Sequence, residues 1–168
     1  MPGELHGDNV LLRPVSESDL PRLTALVNEP EVARWWGTND EADMRLEVSA
    51  PRVTAWAIVV DGEVGGLLTA TEEPEPDYRT VELDIFLAAA LHGRGLGADA
   101  LRTALRYLFE EREHHHATIG PAAENERAIR SYKRVGFKPV GILRKAERAP
   151  EGHWRDTLVM DLLAEELR

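Results

Sequence analysis

The sequence of 168 residues contains no cysteine. This absence excludes disulfide bonds, a thiol nucleophile and zinc sites built on cysteine, and it is typical of proteins from a reducing compartment. The chain also lacks any run of about 18 apolar residues, the length needed to cross a bilayer. Its first residues, MPGELHGDNV, lack the cationic and then apolar pattern of a signal peptide. We therefore expect a cytoplasmic protein that has no membrane partner.

Basic residues are scarce relative to acidic ones. Lysine and arginine number 20 against 30 aspartates and glutamates, which gives a formal charge of −10. Such a chain repels phosphate backbones, so we do not expect a nucleic acid partner. A cationic ligand would be attracted, although an acidic composition can also serve solubility alone. The segment from Glu72 to Asp84 concentrates six acids around a single base.

The order of the predicted elements indicates one domain over residues 1–168 with a mixed α/β fold. Hydrophobic periodicity and turn residues predict the order β-α-α-β-β-β-α-β-α-β-β, in which the first helix runs from about Asp19 to Asn28. One or two short helices surround Gly37, and the pair Asp61-Gly62 favours a tight hairpin. In the strand Val81–Leu87, odd-numbered apolar residues alternate with Glu82, Asp84 and Phe86, so one face belongs to the core.

A glycine-rich turn, HGRGLG, separates this strand from the helical pattern ADALRTALRYLF. Unpaired backbone N–H groups converge at a helix N-terminus, where the helix dipole adds about half a positive charge. Glycines allow close approach to an anion, and Arg94 could add a charged contact to a phosphate. The same pattern also occurs in purely structural turns, and no lysine and hydroxyl pair follows as in a nucleotide-binding P-loop.

A second motif, NERAIRSYKRVGF, begins at Asn125. Together the two motifs resemble the GCN5-related N-acetyltransferase (GNAT) family, whose members have an (Arg/Gln)-x-x-Gly-x-(Gly/Ala) turn followed by an Asn-x-x-Ala-x-x-x-Tyr-x-x-x-Gly-Phe helix. The first motif departs from the family pattern because His92 occupies its opening position. The resemblance implies a GNAT fold, with a central, mostly antiparallel mixed sheet of about seven strands and about four flanking helices.

The resemblance also implies acetyl-CoA as the cosubstrate, with no metal. Backbone N–H groups from Arg94 to Ala98 would hold the pyrophosphate, and Phe86 and Leu87 would pair with the pantetheine arm. Asn125 would hydrogen-bond the same arm, and Tyr132 would protonate the leaving thiolate unless it is only a core residue. The implied cosubstrate site comprises Phe86, Leu87, His92, Gly93, Arg94, Gly95, Leu96, Gly97, Ala98, Asn125 and Ala128.

Acetylation of an amine requires removal of a proton, because an alkyl ammonium has a pKa near 10. Asp84 and Glu82 lie on the non-core face of the strand that leads to the thioester, and we favour Asp84 as the base, directly or with a water relay through Glu82. The chain further resembles aminoglycoside 6'-N-acetyltransferases in the segments ARWWG, LDIFLA and APEG. This similarity implies a cationic small-molecule amine as substrate, and the candidate contacts are Trp35, Trp36, Tyr78, Glu82, Asp84 and Glu151.

Other interpretations remain open for the acceptor. The amine could belong to a protein N-terminus, a polyamine or a siderophore precursor, or the chain could bind acetyl-CoA without catalysis. Gly120 stands where aminoglycoside enzymes commonly have an aspartate, and the tryptophan pair could be core. The run His114–His116 is better explained as a solvated helix end than as a metal site. The fold is compatible with either a monomer or a homodimer.

Overall fold

The computed structural model describes residues 3–168, and within them eight strands and five α-helices alternate. The strands are β1 (Leu5–His6), β2 (Leu11–Pro14), β3 (Val53–Val60), β4 (Glu63–Glu73), β5 (Thr80–Leu87), β6 (His116–Ile119), β7 (Lys138–Arg148) and β8 (Trp154–Leu163). The helices are α1 (Leu20–Val27), α2 (Pro30–Trp36), α3 (Glu41–Ser49), α4 (Leu96–Glu110) and α5 (Glu126–Val135).

All eight strands form one sheet with the order β1-β2-β3-β4-β5-β6-β8-β7. Only the pairing of β5 with β6 is parallel, so the predicted mixed, mostly antiparallel sheet is confirmed. Two details differ from the predicted order. A two-residue strand precedes the first predicted one, and the segment around Gly37 forms two separate helices because this glycine, at φ 76°, ends α2.

Helices cover both faces of the sheet, and each face has its own apolar core. One core joins α4 and α5 to side chains such as Trp56, Leu83 and Ile85. The other joins α1, α2 and α3 to Leu67 and Phe86. The alternation predicted along β5 is therefore present, since Ile85 and Phe86 belong to opposite cores.

The sheet opens at its centre. The register of β5 with β6 ends at the pair Leu83 and Ile119, while β5 itself continues to Leu87 beside β4. Beyond Ile119 the chain leaves the sheet toward α5 and returns as β7 and β8. The last four residues of β5 thus present one edge that no neighbouring strand covers, at the point where the glycine-rich turn begins.

Within residues 3–168, no helix is long and apolar enough to span a membrane.

Candidate active site

A cleft of about 650 Å³ lies at this opening in the sheet. Its walls come from the end of β5, the glycine-rich turn, α2, α3, α5 and the end of β7. Most of the side chains predicted for the site line this one cleft. They are Trp35, Trp36, Asp84, Phe86, Leu87, His92, Gly93, Gly95, Leu96, Gly97, Asn125, Ala128 and Tyr132.

Several other predicted residues do not line the cleft. Tyr78 lies in the loop between β4 and β5 and is 76% exposed. Glu82 is exposed on β5, two residues before Asp84, and Glu151 is exposed in the turn between β7 and β8. Their assignment as substrate contacts stays a prediction, and a bound acceptor would have to extend beyond the cleft to reach them.

The glycine-rich turn has the backbone geometry of an anion site. Gly93 and Gly95 have φ angles of 78° and 74°, a conformation that strains any residue with a side chain. Gly95 is the N-cap of α4, and the first cap hydrogen bond runs from Asp99 N–H to the Gly95 carbonyl. Among the described residues, the N–H groups of 94–98 have no backbone acceptor, so they are free to receive an anion.

Two members of this turn are placed differently from the rest. The guanidinium of Arg94 lies 3.9 Å from the carboxylate of Asp61 and does not line the cleft. Ala98 is buried in the first turn of α4, where its side chain packs in the core. The geometry therefore favours binding of an anion by the backbone N–H groups of the turn rather than by the Arg94 side chain.

The uncovered edge of β5 offers one clear donor. Ala88 N–H donates to the Gly65 carbonyl on the β4 side, so by strand alternation the N–H of Leu87 points to the open edge. The carbonyls on that edge already accept side-chain hydrogen bonds, from Trp36 Nε1 to Ile85 O (3.2 Å) and from His92 Nε2 to Leu87 O (2.9 Å). A carbonyl only accepts, so Nε2 of His92 carries a hydrogen. Burial lowers the pKa of this imidazole.

Asp84 lines the cleft and is exposed within it, so water reaches its carboxylate while the surrounding residues of the cleft remove part of its hydration. Desolvation, followed by the charges of Glu47, Glu82 and Glu147, raises the pKa of Asp84 to about 7, although a hydrogen bond from Ile85 N–H opposes this shift. A carboxylate with such a pKa is suited to accept a proton near neutral pH.

Tyr132 approaches the same cleft from α5. It is buried, and its ring packs edge-on against Phe137 with centroids 6.3 Å apart. Burial and the charge of Asp84 raise the pKa of the phenol above its usual value, so the hydroxyl is neutral at physiological pH and can donate a proton. Asn125 caps the same helix, because its Oδ1 accepts from Ala128 N–H at 3.3 Å. Its side-chain amide hydrogens remain available as donors.

The lining of the cleft carries charges of both signs. Asp84 is joined in the lining by Glu31, Glu47 and Glu147, while α5 contributes three arginines. Those arginines, Arg127, Arg130 and Arg134, follow the helical spacing of one face, and this signal was readable from the sequence. Glu47 and Glu147 were not predicted, because no motif marks them.

Neither tryptophan of α2 has a wholly free ring. Two guanidinium groups lie over the ring of Trp35, Arg34 at 4.7 Å and Arg155 at 5.2 Å from its centroid. Trp36 meets Phe86 edge-on at 5.0 Å. The predicted role of these rings as a platform for a sugar therefore stays a prediction, with part of the cation–π capacity of Trp35 already used.

The histidine run is placed differently from its predicted solvated helix end. His114 is 3% exposed, with Nε2 3.4 Å from a Glu72 oxygen, and His116 begins β6. Residues 3–168 contain no group of three or more His, Cys, Asp or Glu side chains that could hold a metal ion.

Comparison with known proteins agrees with this geometry. Residues 9–138 match the family model described as an acetyltransferase (GNAT) domain. The aminoglycoside N(6')-acetyltransferase type 1 of Klebsiella pneumoniae is 28% identical over 156 residues, covering 81% of this chain and 77% of that protein. The spermidine N(1)-acetyltransferase of Escherichia coli K12 is 28% identical over 144 residues, covering 80% and 76%. The phosphinothricin N-acetyltransferase of Streptomyces coelicolor is 30% identical over 173 residues, covering 92% and 95%.

A solved structure of AAC(6')-Ib in complex with paromomycin and acetyl-CoA superimposes with a TM-score of 0.78 and 27% identity, over 95% of this chain and 96% of that one. The resemblance predicted from the two motifs is thus confirmed, both for the fold and for relatedness to aminoglycoside acetyltransferases. The relatives nevertheless carry names with three different acceptors, so similarity alone leaves the acceptor of this chain undecided.

Proposed function

This chain belongs to the GNAT acetyltransferase family, and from that premise we propose that it acetylates a primary amine of a polycationic small molecule, specifically the 6'-amine of an aminoglycoside. Acetyl transfer from acetyl-CoA is the reaction of the family. The choice of a polycationic acceptor rests on one observation, the cluster of acids that lines the cleft with Asp84. The choice of the 6'-amine is supported by the similarity to aminoglycoside N(6')-acetyltransferases.

The basic residues of the cleft suit the anionic cosubstrate. Free N–H groups at the start of α4 would receive the pyrophosphate, and Arg127 and Arg130 add positive charge to the same cleft. The N–H of Leu87 on the open edge of β5 would donate to the thioester carbonyl, which polarises it toward attack. The free amide hydrogens of Asn125 would donate to the pantetheine arm.

Proton transfer follows from the two perturbed groups. The acceptor ammonium would give a proton to the Asp84 carboxylate, and its nitrogen would then attack the thioester carbon. As the C–S bond breaks, the leaving thiolate would take the phenolic proton of Tyr132. The second proton that the nitrogen loses on forming the amide would return to the phenolate, and Asp84 would release its proton to solvent. The raised pKa of Asp84 agrees with its role as base, since about half of the molecules carry the carboxylate at pH 7. Tyr132 stays neutral and therefore carries the proton that it would donate.

The acids of the cleft argue for an acceptor with several ammonium groups. Glu31, Glu47 and Glu147 line the cleft, and the charges of Glu47 and Glu147 act on Asp84, so a multiply charged cation would be attracted and held there. Phosphinothricin carries a phosphinate and a carboxylate beside its amine, and these anions would meet the same acids unfavourably. A linear polyamine fits the charge equally well and is the second candidate, supported by the spermidine acetyltransferase relative.

Two measurements test this proposal separately. Titration calorimetry with acetyl-CoA and with CoA should show binding, which would be absent if the family function has been lost. Thiol release from acetyl-CoA should then be followed with kanamycin, spermidine, phosphinothricin and a peptide as acceptors, and product mass spectrometry should locate the acetyl group. We expect the highest kcat/KM with kanamycin, at the 6'-amine. A preference for phosphinothricin or the peptide would overturn the assignment of a polycationic acceptor.

A further inference from the structure

Arg155 is a buried arginine whose position the acetyl-transfer chemistry does not require. It lies on β8, is 7% exposed and does not line the cleft. Its Nη1 donates to the Arg34 carbonyl at 2.8 Å, its Nη2 donates to the Trp35 carbonyl at 2.9 Å, and its Nε donates to Oε1 of Glu147. The guanidinium also lies over the ring of Trp35.

These contacts join two separate pieces of the cleft wall. The carbonyls of residues 34 and 35 belong to the last turn of α2, where a helix leaves carbonyls without partners and favours a positive charge. Glu147 belongs to β7 and lines the cleft. At its other contact with the sheet, α2 is held by the hydrogen bond from Trp36 to Ile85. Arg155 is therefore the link that fixes the end of α2 against the β7–β8 pair.

The geometry requires an arginine rather than another cation. Three nitrogens of one planar guanidinium serve three acceptors in different directions, which a lysine ammonium on a flexible stem cannot reproduce. A buried ion pair gives little net stability compared with apolar packing, so stability alone is a weak reason for it. What these contacts provide is a direct link between Glu147 and Trp35, two residues that line the cleft.

Resting on the proposed function, we propose that Arg155 is a positioning residue for the acceptor amine: it holds Glu147 and the end of α2 in place, and through them it sets acceptor affinity and the charge around Asp84. Arg155 touches neither substrate in this scheme. Its positive charge offsets that of Glu147, one of the acids that act on Asp84. The groups that face Asp84 are Glu47 from α3, Glu82 from its own strand, Glu147 from β7 and Tyr132 from α5, and Arg127 faces Tyr132 in turn.

The test compares Arg155→Met, Arg155→Lys and Glu147→Gln with a matched control, Arg144→Met, which removes an exposed arginine of β7. For Arg155→Met we expect the acceptor KM to rise about tenfold or more, from the loss of charged hydrogen bonds that orient the wall. The dissociation constant of acetyl-CoA should change by less than about twofold, because its predicted contacts lie elsewhere. Arg155→Lys should give an intermediate acceptor KM, and the control should match the wild type.

The pH titration of Asp84 gives a second readout. Replacement of a residue that only stabilises the fold would leave this titration unchanged. The carboxyl carbon of Asp84 can be followed by NMR, assigned through its loss in Asp84→Asn. Arg155→Met leaves Glu147 uncompensated, which should move the Asp84 titration to higher pH. Glu147→Gln removes a negative charge and should move it to lower pH.

Opposite displacements in the two variants support the proposal, whereas unchanged or parallel titrations overturn it. If Arg155→Met does not fold, Glu147→Gln still decides, because an unchanged titration and an unchanged acceptor KM contradict the proposed role. The NMR readout needs no turnover. A wild type that fails to bind acetyl-CoA would therefore end the proposed function and still leave the effect of Arg155 on Asp84 measurable.

Discussion

Replacement of Asp84 by asparagine isolates the proposed base. The two side chains have nearly the same shape, so the cleft is preserved while proton acceptance is lost. General-base catalysis typically contributes about 10²–10⁴ in rate, and we expect kcat/KM at neutral pH to fall by a factor in that range. Acetyl-CoA binding, measured by calorimetry, should stay within about twofold of the wild type.

The pH profile makes the prediction more specific. In the wild type, kcat/KM should fall as the pH drops through about 7, where Asp84 becomes protonated. In Asp84→Asn this acidic limb of the pH profile should disappear. Activity should then depend on acceptor molecules whose amine is already neutral. An amine with a pKa near 10 is neutral in about one molecule per thousand at pH 7, so the variant should gain about tenfold per pH unit until the amine is deprotonated.

The variant Glu82→Gln tests whether Glu82, rather than Asp84, is the general base. Glu82 raises the pKa of Asp84 by its charge, so its removal should move the acidic limb to lower pH and retain most of the activity. A loss of turnover in Glu82→Gln equal to that in Asp84→Asn would assign the base to Glu82 or to a relay between them. An Asp84→Asn variant with the wild-type rate and the wild-type limb would refute the assignment.

The contribution of Asp84 to folding stability should fall with rising pH, whereas its contribution to activity should rise. The pKa of Asp84 is raised in the folded chain, so folding favours its protonated form, and stability from this site is lost as the pH rises from the unfolded pKa through about 7. The asparagine of the Asp84→Asn variant carries no charge at any pH. Thermal unfolding at pH 8 should therefore show Asp84→Asn to be at least as stable as the wild type, and a clear decrease in Tm would contradict the raised pKa.

Four further predictions concern the remaining parts of the site. Tyr132→Phe should lower kcat by about 10²-fold or more at unchanged acetyl-CoA affinity in a thiol-release assay, while Tyr107→Phe outside the cleft should not. Gly95→Ala should cost about 1–2 kcal/mol of stability and weaken acetyl-CoA binding in calorimetry, whereas Gly62→Ala, at φ 82°, should cost only stability. Asn125→Ala should lower the free energy of unfolding by about 1 kcal/mol in urea denaturation, because a helix cap is lost. Asp40→Ala should have the same effect at α3. Only Asn125→Ala should raise the acetyl-CoA Kd. Gly66→Ala places a Cβ 2.2 Å from the Phe86 carbonyl; overpacking should cost about 1–3 kcal/mol and reduce turnover, while Gly141→Ala, in open space, should do neither.

The sequence predicted those parts of the fold and site that depend on local patterns. Alternation along β5, the helical spacing in α4 and α5, and the hairpin at Asp61-Gly62 all depend on residues near one another in the chain. The glycine turn and the Asn125 motif are equally local. The sequence does not decide whether α2 and α3 are separate, because two short helices and one interrupted helix differ only in the conformation of Gly37.

The acids of the cleft could not be predicted in the same way, because they come from distant parts of the chain. Glu47 lies on α3 and Glu147 on β7, and only the packing of α3 and β7 around the sheet brings both to the cleft. Glu151, chosen from its place in a motif-like turn, lies outside, while Glu147 four residues earlier lies inside. Side-chain direction on an irregular strand decides between them, and the register of β7 with β8 is shifted just before this point.

The same long-range assembly determines the chemistry of the base. Asp84 on its own strand would be an ordinary surface acid, since water reaches it. Its pKa of about 7 arises because the cleft walls remove part of its hydration and because two other elements bring acids toward it.

An acceptor with several ammonium groups would bind to those acids and neutralise them as it displaces water from Asp84. Neutralisation of the acids lowers the pKa of Asp84, whereas displacement of water raises it. The pH profile of kcat, which reports the complex, should therefore be compared with that of kcat/KM, which reports the free enzyme. If polycation binding dominates, the acidic limb of kcat should lie at lower pH than that of kcat/KM, and a monoamine acceptor should show a smaller difference.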